Sequence, residues 1–453
     1  MEGRTYRSYL LVVLITIAVL SSVDRTGFSM AVQSVKADLR LSDTEIGALT
    51  GIVFAIFYAI FGVPIGRLAD NSDRVAVTSV CLAVGAAAVT GCGLVTSFIS
   101  MAATRVVVAA GEAGAIPTAY SLISDQFSRE ERPAALGLYF TGGTISQLLG
   151  FILGGWLTQH YGWRLMFVAM GAPGMVFAPI VYLTLRDRRE NKEGRSNHRE
   201  GVTIRNAVWP ARSRAEVTGT AWKDLARLGK IRTFRSALIA LCGNYLFAYA
   251  LLGWDPAFFM RTYGLSASVV GLWLAIGIGG AQLVGSSLGG WLAGRFARNN
   301  EQLQLAGVAI TYGVFGASQA CAYWGESYQL AFSLIGVGMM ISSLSNGPLF
   351  AALQGVVPER MRALSMAVIM LFANLIGMGL GPLAVGILSD ALRPEFGELS
   401  LRYALLLVCP GFCWGVWFMW KAARTVGGDT VNEDGNPSGD LAERARWARD
   451  SSG

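Results

Sequence analysis

The sequence predicts an all-α membrane protein with twelve transmembrane helices, arranged as two six-helix bundles related by pseudo-two-fold symmetry. Three observations predict this class. The chain of 453 residues is 53% hydrophobic and only 15% charged, whereas a soluble domain carries about 25% charged residues. Its apolar segments are long enough to cross a bilayer as helices of about 20 residues. One hydrophilic stretch divides these segments into two sets of six.

The apolar segments are numbered here as span 1 to span 12. They are continuous rather than alternating, so they indicate helices and not barrel strands. The first six cover residues 9–32, 45–67, 75–97, 100–124, 134–158 and 164–185, and the second six cover residues 236–260, 267–294, 303–324, 327–355, 363–389 and 402–423. The predicted organisation is an N-terminal six-helix bundle (1–186), a basic cytoplasmic linker (187–235), a C-terminal six-helix bundle (236–424) and a flexible cytoplasmic tail (425–453).

The central linker carries most of the positive charge of the chain. Between Arg186 and Arg235 there are 14 Lys and Arg residues against 6 Asp and Glu. Such a segment could bind nucleic acid, but it contains no recognisable binding fold, so we predict no nucleic-acid partner. The positive-inside rule instead predicts that the linker and both termini face the cytoplasm of a multi-pass protein in the plasma (inner) membrane. The first 20 residues also imitate a signal peptide, although an uncleaved span 1 explains the same residues.

The two halves of the sequence share features at nearly constant spacing, which indicates an internal duplication. Pro117 in span 4 corresponds to Pro348 in span 10, and the segment 66–70 after span 2 corresponds to 290–295 after span 8. Repeats arranged around a central site are typical of secondary transporters, which use them to alternate access between the two sides of the membrane.

Charged residues within spans are rare and point to function. Asp24 and Arg25 lie about 22 Å from the cytoplasmic edge of span 1, and Arg105 lies at the same depth on the antiparallel span 4. We therefore expect Asp24 and Arg105 to form an ion pair. Glu112 lies two turns beyond Arg105 and near the bilayer centre, where burial favours a neutral carboxyl group. These residues are candidate proton-coupling groups (Asp24, Glu112 and Arg105), with structural ion pairing as the alternative.

The second half offers neutral groups in place of mid-membrane carboxylates. Tyr245 and Tyr249 share a helix face, as do Ser342 and Asn346. A substrate with one charged end and one apolar end would suit both halves. The predicted substrate-binding residues are Arg25, Arg105, Glu112, Tyr245, Tyr249, Ser342, Asn346 and Asn374. Each aromatic residue taken singly also fits simple packing.

Other kinds of chemistry lack the residues that they need. The chain contains no Gly-Lys-Ser/Thr phosphate loop, and its spans contain no nucleophile–base set. All six cysteines lie in apolar runs without metal-ligand neighbours. We therefore predict no cofactor, no metal and no enzymatic activity; a membrane enzyme acting on lipids is the alternative from another class.

Several motifs resemble those of the major facilitator superfamily, and within it of the spinster-like family. The residues that carry the resemblance are Gly66-Arg67-Leu68-Ala69-Asp70 with Arg74, Tyr161-Gly162-Trp163-Arg164, Asp24-Arg25, Leu41-Ser42-Asp43-Thr44-Glu45-Ile46-Gly47, and Arg105 with Gly111-Glu112-Ala113. The sequence departs from the usual loop motif at Asn71 and Asp73. The resemblance implies a secondary transporter with a central cavity lined by spans 1, 4, 7 and 10, and it implies Asp70, Arg74 and Arg132 as cytoplasmic gate residues.

The predicted function is proton-coupled transport of an amphipathic lipid-like or organic-anion small molecule by alternating access. As a hypothesis, protonation of Glu112 or Asp24 loosens a pairing with Arg105 and shifts the inward–outward equilibrium. The alternatives are a symporter for organic or aromatic acids, in which Arg105 binds the carboxylate, and a drug efflux antiporter. The expected partners are the substrate, protons and membrane lipids, and we expect a monomer.

Overall fold

The computed structural model describes residues 2–128, 130–185, 224–297, 300–358 and 361–429. The predictions made for residues 186–223 of the linker and for the tail beyond residue 429 lie outside this part of the chain. Within it, nearly every residue is helical and no strand occurs. The all-α membrane fold predicted from hydropathy is therefore confirmed.

Several spans of the first half are interrupted. Span 1 is the helix Glu2–Leu39, and span 3 is the helix Arg74–Cys92. Span 2 consists of Asp43–Thr50 and Ile52–Asn71, and span 4 consists of Phe98–Ala113 and Ala115–Gln126. Spans 5 and 6 lie in one continuous stretch, Arg132–Thr184, which is divided at Gly162. There φ is 82°, a left-handed conformation that glycine adopts without a side-chain clash.

The second half begins after a short helix over residues 224–230. Span 7 is Arg232–Tyr263, span 9 is Glu301–Trp324, and span 10 consists of Tyr328–Ser343 and Asn346–Val356. Spans 8 and 11 each contain a π-helical segment: span 8 comprises Ala267–Leu274, Ala275–Gly280 and Ala281–Phe296, and span 11 comprises Arg362–Phe372, Ala373–Met378 and Gly379–Phe396. A 3₁₀ turn, Gly397–Leu399, leads into span 12, which comprises Ser400–Val408, the 3₁₀ turn Cys409–Gly411 and Phe412–Asp429.

Helix length agrees with twelve crossings of the membrane. Ten helices of the described chain are long and apolar enough to span a bilayer. Two of them, Ala134–Thr184 with 51 residues and Leu364–Asp429 with 66 residues, are far longer than one crossing requires. At about 1.5 Å per residue, either would extend more than twice the roughly 30 Å of the hydrocarbon core. Each therefore accounts for two spans.

Proline explains matching breaks in spans 4 and 10, which the sequence analysis treated as continuous helices. A proline cannot donate the helical hydrogen bond to the carbonyl four residues earlier. Those carbonyls belong to Ala113 for Pro117 and to Leu344 for Pro348, and the helices end at Ala113 and Ser343. The shared break adds to the indication of an internal duplication.

The chain forms two compact units. Unit 1 contains spans 1 to 6 together with Leu252–Ala275 and Pro382–Leu401. Unit 2 contains the other described parts of the second half, Ile276–Gly381 among them. These units are defined by contact and not by duplication, so the predicted bundle boundaries, 1–186 and 236–424, remain predictions.

Each unit has its own apolar core. In unit 1, residues of span 1 such as Leu14 and Ile17 pack with Leu82, Ile123 and Val181 of spans 3, 4 and 6. The core of unit 2 joins spans 7, 9, 10, 11 and 12, and includes Leu241, Tyr312, Leu353, Ile369 and Met419.

Ion pairs at the two ends of unit 1 show that span 5 begins at the end where span 1 begins, and that span 6 begins at the end where span 1 ends. Arg7, near the start of span 1, pairs with Glu131, just before span 5, at 3.0 Å. Near the other end of span 1, Asp38 pairs with Arg164 at the start of span 6. The midpoint of span 1, where Asp24 and Arg25 lie, is therefore far from both ends of the unit.

Candidate functional site

Two ion pairs join spans 1 and 4 in the middle of unit 1. Arg105 Nη1 donates to Asp24 Oδ2 at 2.5 Å, which confirms the pairing expected from their common depth. Arg25 Nε donates to Glu112 Oε2 at 2.8 Å, and Arg25 Nη2 donates to the same oxygen. Each helix thus supplies one arginine and one carboxylate to the other.

The structure corrects one detail of the sequence analysis. Glu112 was expected to act on Arg105, the nearest basic residue of its own helix, but its partner is Arg25. Adjacent residues of a helix project about 100° apart, so Asp24 and Arg25 meet span 4 at different places. Hydropathy and depth gave the level of these side chains, but not the face on which each one lies.

Exposure separates the roles available to the four groups. The side chains of Asp24, Arg105 and Glu112 are 1%, 2% and 3% exposed, whereas that of Arg25 is 36% exposed. Arg25 is therefore the most exposed of the four charged side chains. Arg105 is enclosed with its own carboxylate; the substrate-binding roles of Arg105 and Arg25 both remain predictions.

Each carboxylate also retains an oxygen without a protein partner. Asp24 Oδ1 and Glu112 Oε1 are buried and accept no hydrogen bond from any residue that the structure describes. Burying an ionised carboxylate with incomplete hydrogen bonding is costly. Each of the two carboxylates therefore has one buried oxygen whose charge no described hydrogen-bond donor offsets.

Aromatic rings of spans 1 and 2 surround the two arginines. The Phe54 ring is 4.8 Å from the Arg25 guanidinium carbon and 5.4 Å from that of Arg105. Tyr58 stacks on Phe54 with ring centroids 5.7 Å apart, and Phe28 lies 5.1 Å from the Arg105 guanidinium carbon. Ring faces attract cations, so Phe54 contacts both ion pairs. These rings were not among the predicted site residues, although the i, i+4 spacing of Phe54 and Tyr58 was a usable signal in the sequence.

Small residues hold span 4 against span 3 beside Glu112. A Cβ atom added to Gly111 would lie 2.4 Å from the Gly85 Cα atom. Only glycine permits this approach, because any side chain would overlap the facing backbone. The contact holds the segment that carries Glu112 directly against span 3.

The candidate residues of the second half lie in unit 2. Tyr245 and Tyr249 stack with centroids 5.8 Å apart, and Gly377 packs directly on the Tyr245 backbone. Asn374 is half-buried in the same π-helical segment as Gly377, whereas Ser342 and Asn346 flank the break in span 10. Their role in substrate binding remains a prediction.

Two of the predicted cytoplasmic gate residues fasten the end of span 4. Arg74 is 1% exposed, and its Nη1 donates to Asp125 Oδ2 at 2.5 Å. Arg132 Nη2 donates to the Ser124 carbonyl at 2.7 Å. The side chain of Asp70 lies outside the described part of the chain. The gate role of all three residues remains a prediction, and the sequence analysis missed Asp125.

Comparisons with known proteins agree with this architecture. The model of the Major Facilitator Superfamily matches residues 14–382. An "MFS-type efflux pump" of Mycolicibacterium smegmatis is 31% identical over 425 residues, which are 93% of this chain and 94% of that protein. A "Probable L-galactonate transporter" of Escherichia coli (strain K12) is 26% identical, over 86% of this chain and 83% of its own.

A solved structure extends the comparison to the fold. A bacterial homolog of the human lysosomal transporter Spinster, in an inward-facing and unoccupied conformation, superposes with a TM-score of 0.79 at 27% identity. The match covers 94% of this chain and 99% of that one. The resemblance inferred from the motifs is thereby confirmed.

Proposed function

The chain belongs to the major facilitator superfamily, as a spinster-like, multi-pass membrane transporter and not an enzyme, and from this premise we propose that it is a proton-coupled carrier of an amphipathic organic anion. The observation that carries the proposal is the Arg25–Glu112 pair, in which a partly exposed arginine is bound by a buried carboxylate. We place the carrier in the inner membrane with both termini cytoplasmic, as a monomer that alternates access by rearranging its spans.

Protonation of Glu112 controls the availability of Arg25. While Glu112 is ionised, it neutralises Arg25 and occupies two of its donors. A proton on Glu112 removes that charge, and Arg25 can then pair with a carboxylate or phosphate of the substrate. Proton and anion therefore bind together, and release of the proton expels the anion. This coupling is the exchange of one partner of Arg25 for another.

The Asp24–Arg105 pair holds the site together. Both side chains are almost fully buried, so breaking this pair would leave an uncompensated charge in a low-dielectric region. Asp24 is the second candidate proton-coupling residue, because its Oδ1 accepts no hydrogen bond from any residue that the structure describes. The pair also keeps spans 1 and 4 at a fixed height relative to each other.

Aromatic rings provide contact for the apolar part of the substrate. Tyr58 lies next to Arg25, with its ring 5.9 Å from the guanidinium carbon. In unit 2, Tyr245 and Tyr249 are the proposed aromatic contacts, with Asn374, Ser342 and Asn346 as polar ones. An organic anion whose apolar part adjoins its charged group suits Arg25 and the neighbouring ring of Tyr58.

The test is transport in proteoliposomes that contain the purified protein. L-galactonate and a lysophospholipid serve as probes, and a pH gradient drives their accumulation. We expect the Glu112→Gln variant to lose gradient-driven accumulation and to retain probe exchange in the absence of a gradient, because only the proton step is removed. Glu326→Gln, an exposed loop substitution, is the matched control. Gradient-driven accumulation by Glu112→Gln at the parental rate would refute the proposal.

The second candidate function is efflux of an amphipathic compound in exchange for protons. The observation that favours it is the 31% identity with the mycobacterial protein named an efflux pump. The same proteoliposomes distinguish the two functions, because an exchanger moves the compound against the direction of proton flow, whereas a symporter moves it with that flow.

A further inference from the structure

Exposed basic side chains are concentrated at the end of unit 2 where span 7 begins and span 12 ends. Residues 224–235 and 420–429 together contain six Lys and Arg residues against two Asp residues. All six basic residues are exposed. They are Arg227, Lys230, Arg232, Arg235, Lys421 and Arg424. The proposed transport cycle uses none of them.

Hydrogen bonds hold the ends of spans 7 and 12 side by side. The backbone N–H and the hydroxyl of Thr233 donate to Asp429 Oδ2 at 2.8 and 2.9 Å, and the Thr233 hydroxyl lies 2.8 Å from that of Thr425. Asp429 thereby caps the first turn of span 7. Further along, a Cβ atom on Gly243 would lie 2.6 Å from Trp414 Cδ1. The two spans therefore run antiparallel and in contact from this end inward.

Helix geometry places three of the basic residues on one side of this contact. Successive residues of a helix are rotated by about 100°. Thr425 faces span 7, and Lys421 and Arg424 are rotated away from it in the same sense by about 40° and 100°. Because span 7 runs in the opposite direction, Arg232, one residue before Thr233, is rotated toward that same side. The three basic side chains therefore share one exposed face of the helix pair.

Exposed tryptophans of span 12 adjoin this basic face. Trp414, Trp417 and Trp420 are 53%, 71% and 42% exposed. Trp417 precedes Lys421 by four residues and Arg424 by seven, so the three share a helix face, about 6 and 10 Å apart along the axis. Tryptophan on the outer surface of a membrane protein concentrates where hydrocarbon meets the lipid head groups. The basic side chains beyond it are therefore at head-group level.

We propose that Arg232, Lys421, Arg424 and Trp417 form a binding site for an anionic phospholipid, which we call the lipid site. The inference rests on the membrane location of the chain and goes beyond the proposed function, because it names a resident partner and not a transported molecule. Arginine pairs with phosphate through two parallel N–H groups, and the tryptophan ring contacts the glycerol and the first acyl carbons. Three cations suit the two phosphates of cardiolipin best.

The rigid placement of these charges distinguishes the lipid site from the general excess of basic residues at a membrane surface. Lys421 and Arg424 lie within the helix of span 12, and Arg232 begins span 7 next to the Thr233–Asp429 bond. One head group can therefore contact all three side chains at once. Charges on separate loops attract anionic lipid only diffusely, and salt screens that attraction within about 10 Å.

The test is thermal unfolding of the purified, delipidated protein in a neutral detergent. Cardiolipin, phosphatidylglycerol and phosphatidylcholine are added in turn, and glycerol 1-phosphate supplies the phosphate without acyl chains. A ligand that binds only the folded protein raises its unfolding temperature. We expect a rise of several degrees with cardiolipin, a smaller rise with phosphatidylglycerol, and none with the other two. An equal rise with phosphatidylcholine or with glycerol 1-phosphate would overturn the lipid site.

A triple variant, with Arg232→Gln, Lys421→Gln and Arg424→Gln, tests the residues. Native mass spectrometry gives the Kd of bound cardiolipin directly, so the result does not depend on the stability of the variant. Each basic residue near a membrane surface adds to the attraction of anionic lipid, so we expect the Kd to increase at least about tenfold. A parental Kd in the triple variant would refute the assignment.

The matched control removes the same net charge from exposed positions elsewhere, with Arg40→Gln, Arg67→Gln and Arg295→Gln. It should keep the parental Kd for cardiolipin. If the control loses as much affinity as the triple variant, the attraction is diffuse and the lipid site is wrong.

The role of the ring is tested by Trp417→Leu, which should weaken cardiolipin binding several-fold. Trp324→Leu is its control, because Trp324 is 73% exposed and lies at the other end of the unit, where its carbonyl accepts a hydrogen bond from Arg402 near the start of span 12. Equal Kd values for these two variants would contradict the contact with Trp417. None of these measurements requires transport or a pH gradient, so failure of the lipid site and failure of the proposed proton coupling are distinguishable.

Discussion

Replacing Glu112 by glutamine is expected to make anion binding at Arg25 tighter and independent of pH. In the parent protein, ionised Glu112 competes with the anion for Arg25, so affinity falls as pH rises through the range in which Glu112 loses its proton. Glutamine has no charge to compete with at any pH. At high pH the variant should therefore bind the anion more tightly than the parent, and at low pH the two should converge.

The structure sets the size of the difference. Two donors of Arg25 contact one Glu112 oxygen, and a hydrogen bond to a charged group contributes about 1.5–3 kcal/mol. Since Arg25 is 36% exposed, water recovers part of this energy when the pair opens, and the lower figure applies. About 1.4 kcal/mol corresponds to a tenfold change in Kd, so we expect roughly tenfold tighter binding.

Binding is measured by isothermal titration of purified protein with L-galactonate and with a lysophospholipid, at several pH values from 5 to 8. Arg25→Lys is the companion variant, because it keeps the charge and loses the planar two-donor geometry. It should weaken binding at every pH. The reasoning fails if Glu112→Gln binds with the pH dependence of the parent protein.

Three further substitutions test the packing around the site. Arg105→Gln should lower the free energy of unfolding by about 3–5 kcal/mol, because it leaves buried Asp24 without its partner. Adding Asp24→Asn should restore most of the thermal half-life in detergent. If the two substitutions instead destabilise the protein additively, the pairing is contradicted. Phe54→Leu should weaken anion binding several-fold, because about 1 kcal/mol of cation–π attraction is lost. Phe54→Tyr keeps an aromatic ring and should leave anion binding unchanged. Equal weakening of anion binding by the two substitutions would contradict the role of the ring. Gly111→Ala should lower the free energy of unfolding by about 1–3 kcal/mol, because the added methyl group overlaps span 3. Gly137→Ala, where the added methyl group has open space, should leave that free energy unchanged. Equal unfolding temperatures for the two variants would refute the close contact.

The sequence by itself determined the class of the protein and the level of its buried charges. Transfer of a helix into hydrocarbon depends on the sum of its side chains, which composition reports directly. Spacing along a helix then gives depth, because each residue adds about 1.5 Å. This arithmetic placed Asp24 level with Arg105, and the two residues form an ion pair.

Local chemistry in the sequence also accounts for features that the sequence analysis did not use. Pro117 and Pro348 explain where spans 4 and 10 break, because proline removes a helical donor. The stacked rings of Phe54 and Tyr58 follow from their i, i+4 spacing.

Only the tertiary structure decided which charges became partners. Arg25 and not Arg105 binds Glu112, because pairing depends on how each helix is rotated about its axis. Asp43 meets Arg261 and Asp390 across 218 and 347 positions of the sequence. Hydropathy and depth are properties of single helices, whereas the contacting faces are fixed by the packing of all helices together, and one sequence read along its length does not contain that information.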